Sequence, residues 1–271
     1  MLEVKNVEYA YNSSTRILDG INLCLKNGEI LAIVGRNGCG KTTLTKILMG
    51  LLLPTAGKLE LDGIDVTKFK ASEMAKKIGY VFQNPDRQLF ANTVLEEVMY
   101  GPLQLGFVWE QAKEQAVQSL CAVDLSGFET HAPQMLSRGQ KQRLSIASAL
   151  AAKPQILIMD EPTSGQDCRE RTSLLRLMRR LNHEGMGLIL VTHDMDIVAE
   201  HADRVLALLD HKVRFNGSPL ELFSDEDLTV SLGLELPETV KISKQLNLPI
   251  CLTPREIYTS LDLEEAKQNY V

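Results

Sequence analysis

The sequence lacks the features that mark membrane-spanning, secreted and zinc-binding proteins. Its longest apolar stretches, such as 47–53 and 205–209, fall well short of the roughly 20 residues that a membrane-spanning helix needs. The five cysteines are widely spaced and form no Cys-x-x-Cys pair, which argues against a disulfide framework and a structural zinc site. The N-terminal segment does not resemble a secretory signal, so we expect the protein to stay in the cytosol.

Excess basic charge is also absent. The chain has 29 lysines and arginines against 35 aspartates and glutamates, a formal net charge of -6. This balance gives no long-range attraction to nucleic acid or anionic lipid. With 271 residues, 44% of them hydrophobic and 24% charged, the chain has the composition of a soluble globular protein of one large domain or two modest ones.

Hydrophobic periodicity predicts an α/β fold. Apolar residues roughly alternate through 2–25, which indicates short antiparallel strands with a break at 12–14. Continuous apolar runs at 30–34, 156–159 and 188–191 indicate strands buried on both faces, and helical patterns separate them. Because the strands alternate with helices, we predict a parallel sheet.

Helical spacing and proline positions divide the chain further. Apolar residues recur at helical spacing from 44 to 51, until Pro54 stops the pattern. Residues 92–152 carry apolar helical faces and are interpreted as a helical insertion. Prolines interrupt short amphipathic pieces in the tail. We therefore predict a main domain over 1–216 and a small C-terminal extension over 217–271.

A glycine-rich motif follows the first buried strand. Residues 35–42 read GRNGCGKT, which fits G-x-x-x-x-G-K-[ST] between a predicted strand and a predicted helix. The glycines let successive backbone N–H groups turn toward phosphate oxygens, and the helix N-terminus adds partial positive charge. Lys41 would reach the β- and γ-phosphates, and the Thr42 hydroxyl would ligate Mg²⁺. The alternative, a chance glycine turn, is disfavoured by the flanking strand and helix.

A second buried strand ends in two carboxylates. Residues 156–161 read ILIMDE, which places Asp160 and Glu161 at the end of that strand. Asp160 would fix the Mg²⁺, and Glu161 would polarise an attacking water as general base. A strand that ends in Asp-Glu is usually structural when it occurs alone, so this assignment depends on the phosphate motif.

Further motifs resemble those of the ABC-type ATPases. Residues 136–143, LSRGQKQR, resemble the signature motif, and Gln83 resembles the Q-loop glutamine that contacts the metal or water. Residues 164–167 stand at the D-loop position and His193 at that of the switch histidine, while Tyr11 resembles the aromatic residue that stacks on adenine. The resemblance covers residues 2–217. It implies a P-loop NTPase with a RecA-like core, an N-terminal antiparallel β-subdomain, an inserted helical subdomain and a small C-terminal extension.

The resemblance also implies the site residues. Taken singly, Gln83 fits a satisfied loop amide, His193 a polar residue at a strand end, and Tyr11 a packing aromatic. The order of the three residues along the chain favours functional roles over these structural explanations. Contacts to ATP are assigned to Tyr11, Gly35, Asn37, Gly38, Cys39, Gly40, Lys41, Thr42, Thr43, Ser137, Gly139 and Gln140, contacts to Mg²⁺ to Thr42, Gln83 and Asp160, and catalytic roles to Lys41, Gln83, Glu161 and His193.

The sequence departs from the family pattern in three motifs. Arg138 stands where the signature motif usually has glycine, Cys39 where serine is common, and Gly165-Gln166 where the D-loop usually reads Ala-Leu. Arg138 would either add charge near a nucleotide or point to solvent. The sequence does not decide between the two.

The resemblance implies partners as well. In this family two nucleotide-binding domains pair head to tail, and each ATP lies between the P-loop of one and the signature motif of the other. This chain carries one motif set, so it needs a second ABC ATPase subunit, identical or related. It would pass its motion to integral membrane transport subunits from the cytoplasmic face of the membrane, as a peripheral protein.

The segment after Gln83 and the tail narrow the class. Residues 84–102, 236–240 and 252–256 resemble the ATPases of energy-coupling-factor importers, which take up vitamins or transition-metal ions. The alternatives are the ATPase of another ABC transporter and a non-transport ABC clamp on ribosomes or DNA. Because the chain has no second motif set, long coiled coil or basic tail, we expect no nucleic-acid partner.

Overall fold

The computed structural model describes residues 1–12 and 15–268. The predicted break at 12–14 and the end of the tail lie partly outside these residues. In chain order the elements are β1 (Leu2–Asn12), β2 (Thr15–Leu25), β3 (Ile30–Gly35), α1 (Lys41–Leu48), β4 (Ala56–Leu61), β5 (Ile64–Asp65), α2 (Ala71–Met74), β6 (Ile78–Val81), α3 (Val94–Gln104), α4 (Trp109–Ala122), α5 (Arg138–Leu150), β7 (Ile156–Asp160), α6 (Cys168–His183), β8 (Gly187–Val191), α7 (Met195–His201), β9 (Arg204–Leu209), β10 (Lys212–Gly217), α8 (Pro219–Ser224), α9 (Glu226–Ser231), α10 (Glu238–Gln245) and α11 (Pro254–Gln268).

The N-terminal strands form an antiparallel sheet, as their alternating pattern predicts. Four strands lie in the order β2-β1-β4-β5. Leu2 pairs with Leu25 and Val4 with Leu23, so the apolar residues of both strands face one side. Strands β4 and β5 were not predicted from the sequence.

The larger sheet has six strands in the order β10-β9-β3-β8-β7-β6. The strands from β9 to β6 run parallel, while β10 is antiparallel to β9. The parallel arrangement of β3, β7 and β8 confirms the sequence-based prediction. Because β3, β8 and β7 are adjacent and parallel, the loops that follow these three strands meet at one edge of the sheet, where ligands bind in such folds.

The first helix ends earlier than its apolar pattern predicts. Helix α1 ends at Leu48, whereas the pattern continues to Leu51. Gly50 has a φ of 67° and its N–H bonds the carbonyl of Ile47, which is a helix-terminating arrangement. Leu51 consequently lies outside the helix and is half exposed.

The predicted insertion contains three helices, α3, α4 and α5. Ala112, Ala116 and Leu120 of α4 are fully buried and share a core cluster with Leu144 and Ala147 of α5. The cluster also includes residues of the larger sheet, so this region packs against one face of it. The division into a subdomain at about 92–152 remains a proposal.

From residue 219 to residue 268 the C-terminal extension forms helices rather than additional strands. It is not a separate module in its packing, because Phe223 of α8 and Val240 of α10 share a buried cluster with Ala32 and Val34 of β3. The boundary at residue 217 remains a proposal. Within the described part of the chain, no helix combines the length and the apolar character needed to cross a bilayer.

Candidate nucleotide-binding site

The glycine-rich loop connects the central strand β3 to the start of α1. Gly35 has a φ of 139°, and a Cβ there would come within 3.0 Å of the Leu208 carbonyl oxygen. Gly40 has a φ of 110°, and its Cβ would lie 2.7 Å from the Ile17 carbonyl oxygen. Both positions therefore require glycine. The loop ends at a helix N-terminus, where unpaired N–H groups favour a bound anion.

The lysine of the motif lies across this loop. Its Nζ is 2.5 Å from the carbonyl oxygen of Gly35 and 3.1 Å from that of Arg36. Cys39, which replaces the common serine, is buried, and its Sγ is 4.0 Å from the same Nζ. The thiol therefore fits within the turn, and the ammonium of Lys41 is held beside the backbone that would surround a phosphate.

Asp160 occupies the end of β7, next to a tyrosine that the sequence analysis did not assign to the site. The hydroxyl of Tyr80, on β6, donates to Asp160 Oδ2 at 3.0 Å. Burial raises the pKa of Asp160, and the Tyr80 hydroxyl and the Lys41 charge partly oppose this. The pKa of Tyr80 is raised by its own burial and by the nearby carboxylate. A polar ring within the otherwise apolar strand 78–81 was the only sequence signal for Tyr80.

Glu161 and His193 form a hydrogen-bonded pair. Their Oε1 and Nδ1 atoms are 2.7 Å apart. Since an ionised carboxylate only accepts hydrogen bonds, the imidazole N–H donates. The Glu161 side chain is 14% exposed and that of His193 is 78% exposed, so the imidazole lies on the open side. Glu161 also has a φ of 48°, a conformation that non-glycine residues adopt at a cost and that clusters at functional sites.

One cavity of about 480 Å³ collects most of the predicted site. Its size lies within the range of about 300–1,000 Å³ that is usual for ligand sites. Gly35 and Cys39 shape the loop without lining the cavity. The predicted residues that line it are Tyr11, Asn37, Gly38, Gly40, Lys41, Thr42, Thr43, Gln83, Asp160, Glu161 and His193.

The signature residues lie outside this cavity. Ser137 and Gln140 form a capping box at the start of α5, with Ser137 Oγ accepting from the Gln140 N–H at 3.2 Å and Gln140 Oε1 accepting from the Ser137 N–H at 2.9 Å. Gly139 is buried. The structure thus brings together the P-loop, carboxylate, Gln83 and His193 residues, but it does not add Ser137, Gly139 and Gln140 to them.

Gln83 lies between two cavities. It lines the P-loop cavity and also a second cavity of about 550 Å³ that reaches Asp160 and Arg138. Arg138 is exposed and lines this second cavity, not the P-loop cavity of its own chain. Whether its charge acts on a nucleotide stays open at this point.

The oxygen donors fit a magnesium ion held together with a nucleotide. No group of three or more His, Cys, Asp or Glu side chains suited to a metal ion occurs among residues 1–12 and 15–268. Mg²⁺ usually takes one or two protein ligands and completes its shell with phosphate oxygens and water. Thr42 and Asp160 line the same cavity and supply such a partial set.

The fold and the cavity define a P-loop nucleotide-binding protein. A sequence model of the ABC transporter family matches residues 18–164, more than half of the chain. The chain belongs to this family, and it is an ATP-binding subunit with ATPase activity.

Two relatives extend the similarity over nearly the whole chain. A candidate ABC transporter ATP-binding protein of Caldanaerobacter subterraneus subsp. tengcongensis is 42% identical over 246 residues, or 91% of this chain, and this chain spans only 43% of its length. The energy-coupling factor transporter ATP-binding protein EcfA of Methanothermobacter thermautotrophicus is 38% identical over 268 residues, which cover 96% of this chain and 86% of the relative.

Two solved structures share the fold. CbiO1 of Clostridium perfringens, described as part of the ABC transporter complex CbiONQ, superposes with a TM-score of 0.78 at 32% identity, covering 91% of this chain and 98% of its own. The ATP-binding cassette MJ0796, solved as a dimer in a post-hydrolysis state with ADP and Pi, gives a TM-score of 0.70 at 31% identity, covering 81% of this chain and 99% of its own.

Proposed function

We propose that this chain hydrolyses ATP in a pair with a second ABC ATPase subunit. One observation carries the proposal: the P-loop cavity contains the groups that bind and cleave a triphosphate, while Ser137, Gly139 and Gln140 lie outside it. We therefore assign their contacts to a nucleotide held mainly by another subunit. The dimeric state of MJ0796, at 31% identity, supports this arrangement.

Within the pair, each side chain has a proposed role. Lys41 would contact the β- and γ-phosphates, and Thr42, Asp160 and Gln83 would hold the Mg²⁺, which supplies charge neutralisation when bound. Glu161 would accept a proton from water, and His193, aligned by its 2.7 Å bond to Glu161, would stabilise the charge on the transferred phosphoryl group.

An apolar groove offers a docking site for a membrane subunit. It has a volume of about 430 Å³, and its lining includes Leu51, Phe90, Tyr100 and Gln104. Leu51, Phe90 and Tyr100 are each about half exposed or more. Phe90 belongs to the segment that begins at Gln83, so an occupant would be close to a residue of the nucleotide cavity. We propose a cytoplasmic helix of an integral membrane subunit as that occupant.

We further propose that the transporter is an importer of the energy-coupling-factor type, which takes up a vitamin or a transition-metal ion. It is supported by the relative named EcfA and by the membership of CbiO1 in a CbiONQ complex. The chain would then work as a peripheral protein at the cytoplasmic face of the membrane.

Two substitutions test the ATPase assignment. Glu161→Gln should retain ATP binding, lose hydrolysis and accumulate a closed dimer, which size-exclusion chromatography with ATP detects. Lys41→Ala should weaken nucleotide binding itself. Full turnover in Glu161→Gln would exclude Glu161 as the base, and unchanged ATP affinity in Lys41→Ala would contradict the P-loop assignment.

Purification from detergent-solubilised cells tests the transport assignment. We expect an untagged second ATPase and an integral membrane protein to copurify, and mass spectrometry would identify both. The groove variant Phe90→Asp should lose the membrane protein and keep the second ATPase. Ribosomal or DNA partners would instead support the clamp alternative and refute the transporter assignment.

A further inference from the structure

Two departures from the family pattern lie in contact with each other. The Arg138 guanidinium donates from Nη2 to the carbonyl oxygen of Ser164 at 2.8 Å. It lies directly over Gly165, where the three atoms nearest to an added Cβ all belong to this guanidinium and are all closer than 3.0 Å. The arginine therefore occupies the space that an alanine side chain at position 165 would need.

The next residue of the signature motif packs on the same segment. A Cβ on Gly139 would come within 3.0 Å of the Glu170 carboxylate, at the start of α6. Two consecutive residues at the start of α5 thus contact the segment 164–170. Arg138 does so through its guanidinium group, and Gly139 through the close approach of its backbone to Glu170. This segment directly follows β7 and Glu161.

The position of the arginine is unfavourable for α5 considered alone. Arg138 is the first residue of the helix, and the first turn contains no acidic residue. A cation at a helix N-terminus is repelled by the positive end of the helix macrodipole. The hydrogen bond to Ser164 directs the guanidinium to a carbonyl outside the helix and offsets that repulsion.

We propose that Arg138 is a positioning residue that couples the signature motif to the D-loop of its own chain, and that Arg138 and Gly165 are a matched pair. The pair fixes the start of α5 relative to residues 164–167, so that the two segments move together when the ATPase dimer opens and closes. The part of this inference that concerns dimers depends on the proposed function, whereas the contact itself does not.

A double-mutant cycle tests the pair with Arg138→Gly, Gly165→Ala and the combined variant. Gly165 has a φ of 69°, so alanine is strained there in any background, but this strain cancels in the cycle. The guanidinium is the end of a flexible, exposed side chain, so we expect Gly165→Ala to raise the unfolding equilibrium constant in urea about two- to threefold more with Arg138 present than with Arg138→Gly. Gly127→Ala is the control, since Gly127 has a φ of 88° and no atom within 4 Å of its Cβ position.

A functional readout separates positioning from simple packing. In the Glu161→Gln background, each single variant should weaken ATP-dependent dimerisation about tenfold, and the combined variant should recover most of the loss. ADP affinity should stay unchanged throughout, because neither residue lines the P-loop cavity.

Two results would overturn the proposal. Equal effects of Gly165→Ala in both backgrounds would exclude the matched pair, and coupling in unfolding with unchanged dimerisation would exclude the positioning role. If Glu161→Gln alone forms no ATP-dependent dimer, the proposed function fails instead, and the unfolding cycle still decides whether Arg138 and Gly165 are coupled.

Discussion

Phe223 tests whether the C-terminal extension folds as one unit with the nucleotide-binding sheet. It lies in α8, has no exposed surface, and shares a buried cluster with Ala32 and Val34 of the strand that leads into the P-loop. The cluster also contains Val198 of α7, the helix that follows His193. Truncation of the Phe223 ring would therefore open a cavity in the core that contains residues of β3 and α7.

The expected cost of Phe223→Ala is large. Replacing a buried phenylalanine by alanine typically lowers the free energy of unfolding by about 3–5 kcal/mol, because apolar contacts are lost and a cavity remains. The matched control is Leu220→Ala in the same helix, since Leu220 is 48% exposed and its truncation removes little buried surface. We expect a change within about 0.5 kcal/mol for the control.

Urea unfolding followed by two probes is the assay. Fluorescence of Trp109, the only tryptophan, reports on α4, whereas circular dichroism reports on the whole chain. If the extension and the sheet share one core, both transitions should shift together to lower urea in Phe223→Ala. An early dichroism phase with an unshifted Trp109 transition would show that the extension unfolds alone and would refute this reasoning.

Two further predictions concern Glu29 and Tyr11. Burial by itself raises the pKa of Glu29, but Arg204, at 2.7 Å, and the Lys26 N–H outweigh it and hold the pKa below its ordinary value of 4.5. The stabilisation from ionised Glu29 is therefore present above about pH 4.5 and is lost as the pH falls through the lowered pKa. Glu29→Gln should consequently reduce the free energy of unfolding at pH 7 and make it less dependent on pH in the acid range. A pH profile parallel to that of the wild type would contradict this. Tyr11 lines the cavity and is 57% exposed, so we expect its ring to stack on adenine. Calorimetry should then show that Tyr11→Ala weakens ATP binding by about 1–3 kcal/mol, whereas Tyr11→Phe, which keeps the ring, does not.

The sequence predicts the parts of this fold that depend on local patterns. The buried strand at 30–34, the glycine-rich turn and the following helix occur in the structure because each depends on neighbouring residues. The strands β6 and β10 were not predicted. Strand β6 has four residues, and β10 alternates between exposed and half-buried positions, so neither forms a long apolar run. Strand β6 is placed by pairing with β7, which is distant in the chain, and β10 by antiparallel pairing with the preceding strand β9.

The candidate site shows the same difference between local sequence motifs and contacts that form only in the folded chain. The P-loop and Asp160-Glu161 are contiguous motifs, so the sequence alone is enough to locate them, and residues of both line one cavity in the structure. Tyr80 was missed, because its contact with Asp160 spans 80 positions of the chain. The Arg138 side chain was left undecided for a similar reason, since its partner Ser164 becomes a neighbour only when α5 and the loop after β7 pack together.

The backbone at Glu161 yields a prediction that separates stability from catalysis. Its φ of 48° lies in the left-handed region, and its N–H bonds the Val191 carbonyl oxygen at 2.8 Å, so packing maintains the conformation. Glu161→Ala and Glu161→Gly both remove the carboxylate and should lose hydrolysis equally. Glycine enters the left-handed region without the Cβ clash, which costs about 1–2 kcal/mol, so the glycine variant should be the more stable of the two in urea. Equal stabilities would mean that the strain at this position is negligible. The expected difference would mean that the fold carries a strained residue at the position where we propose the general base.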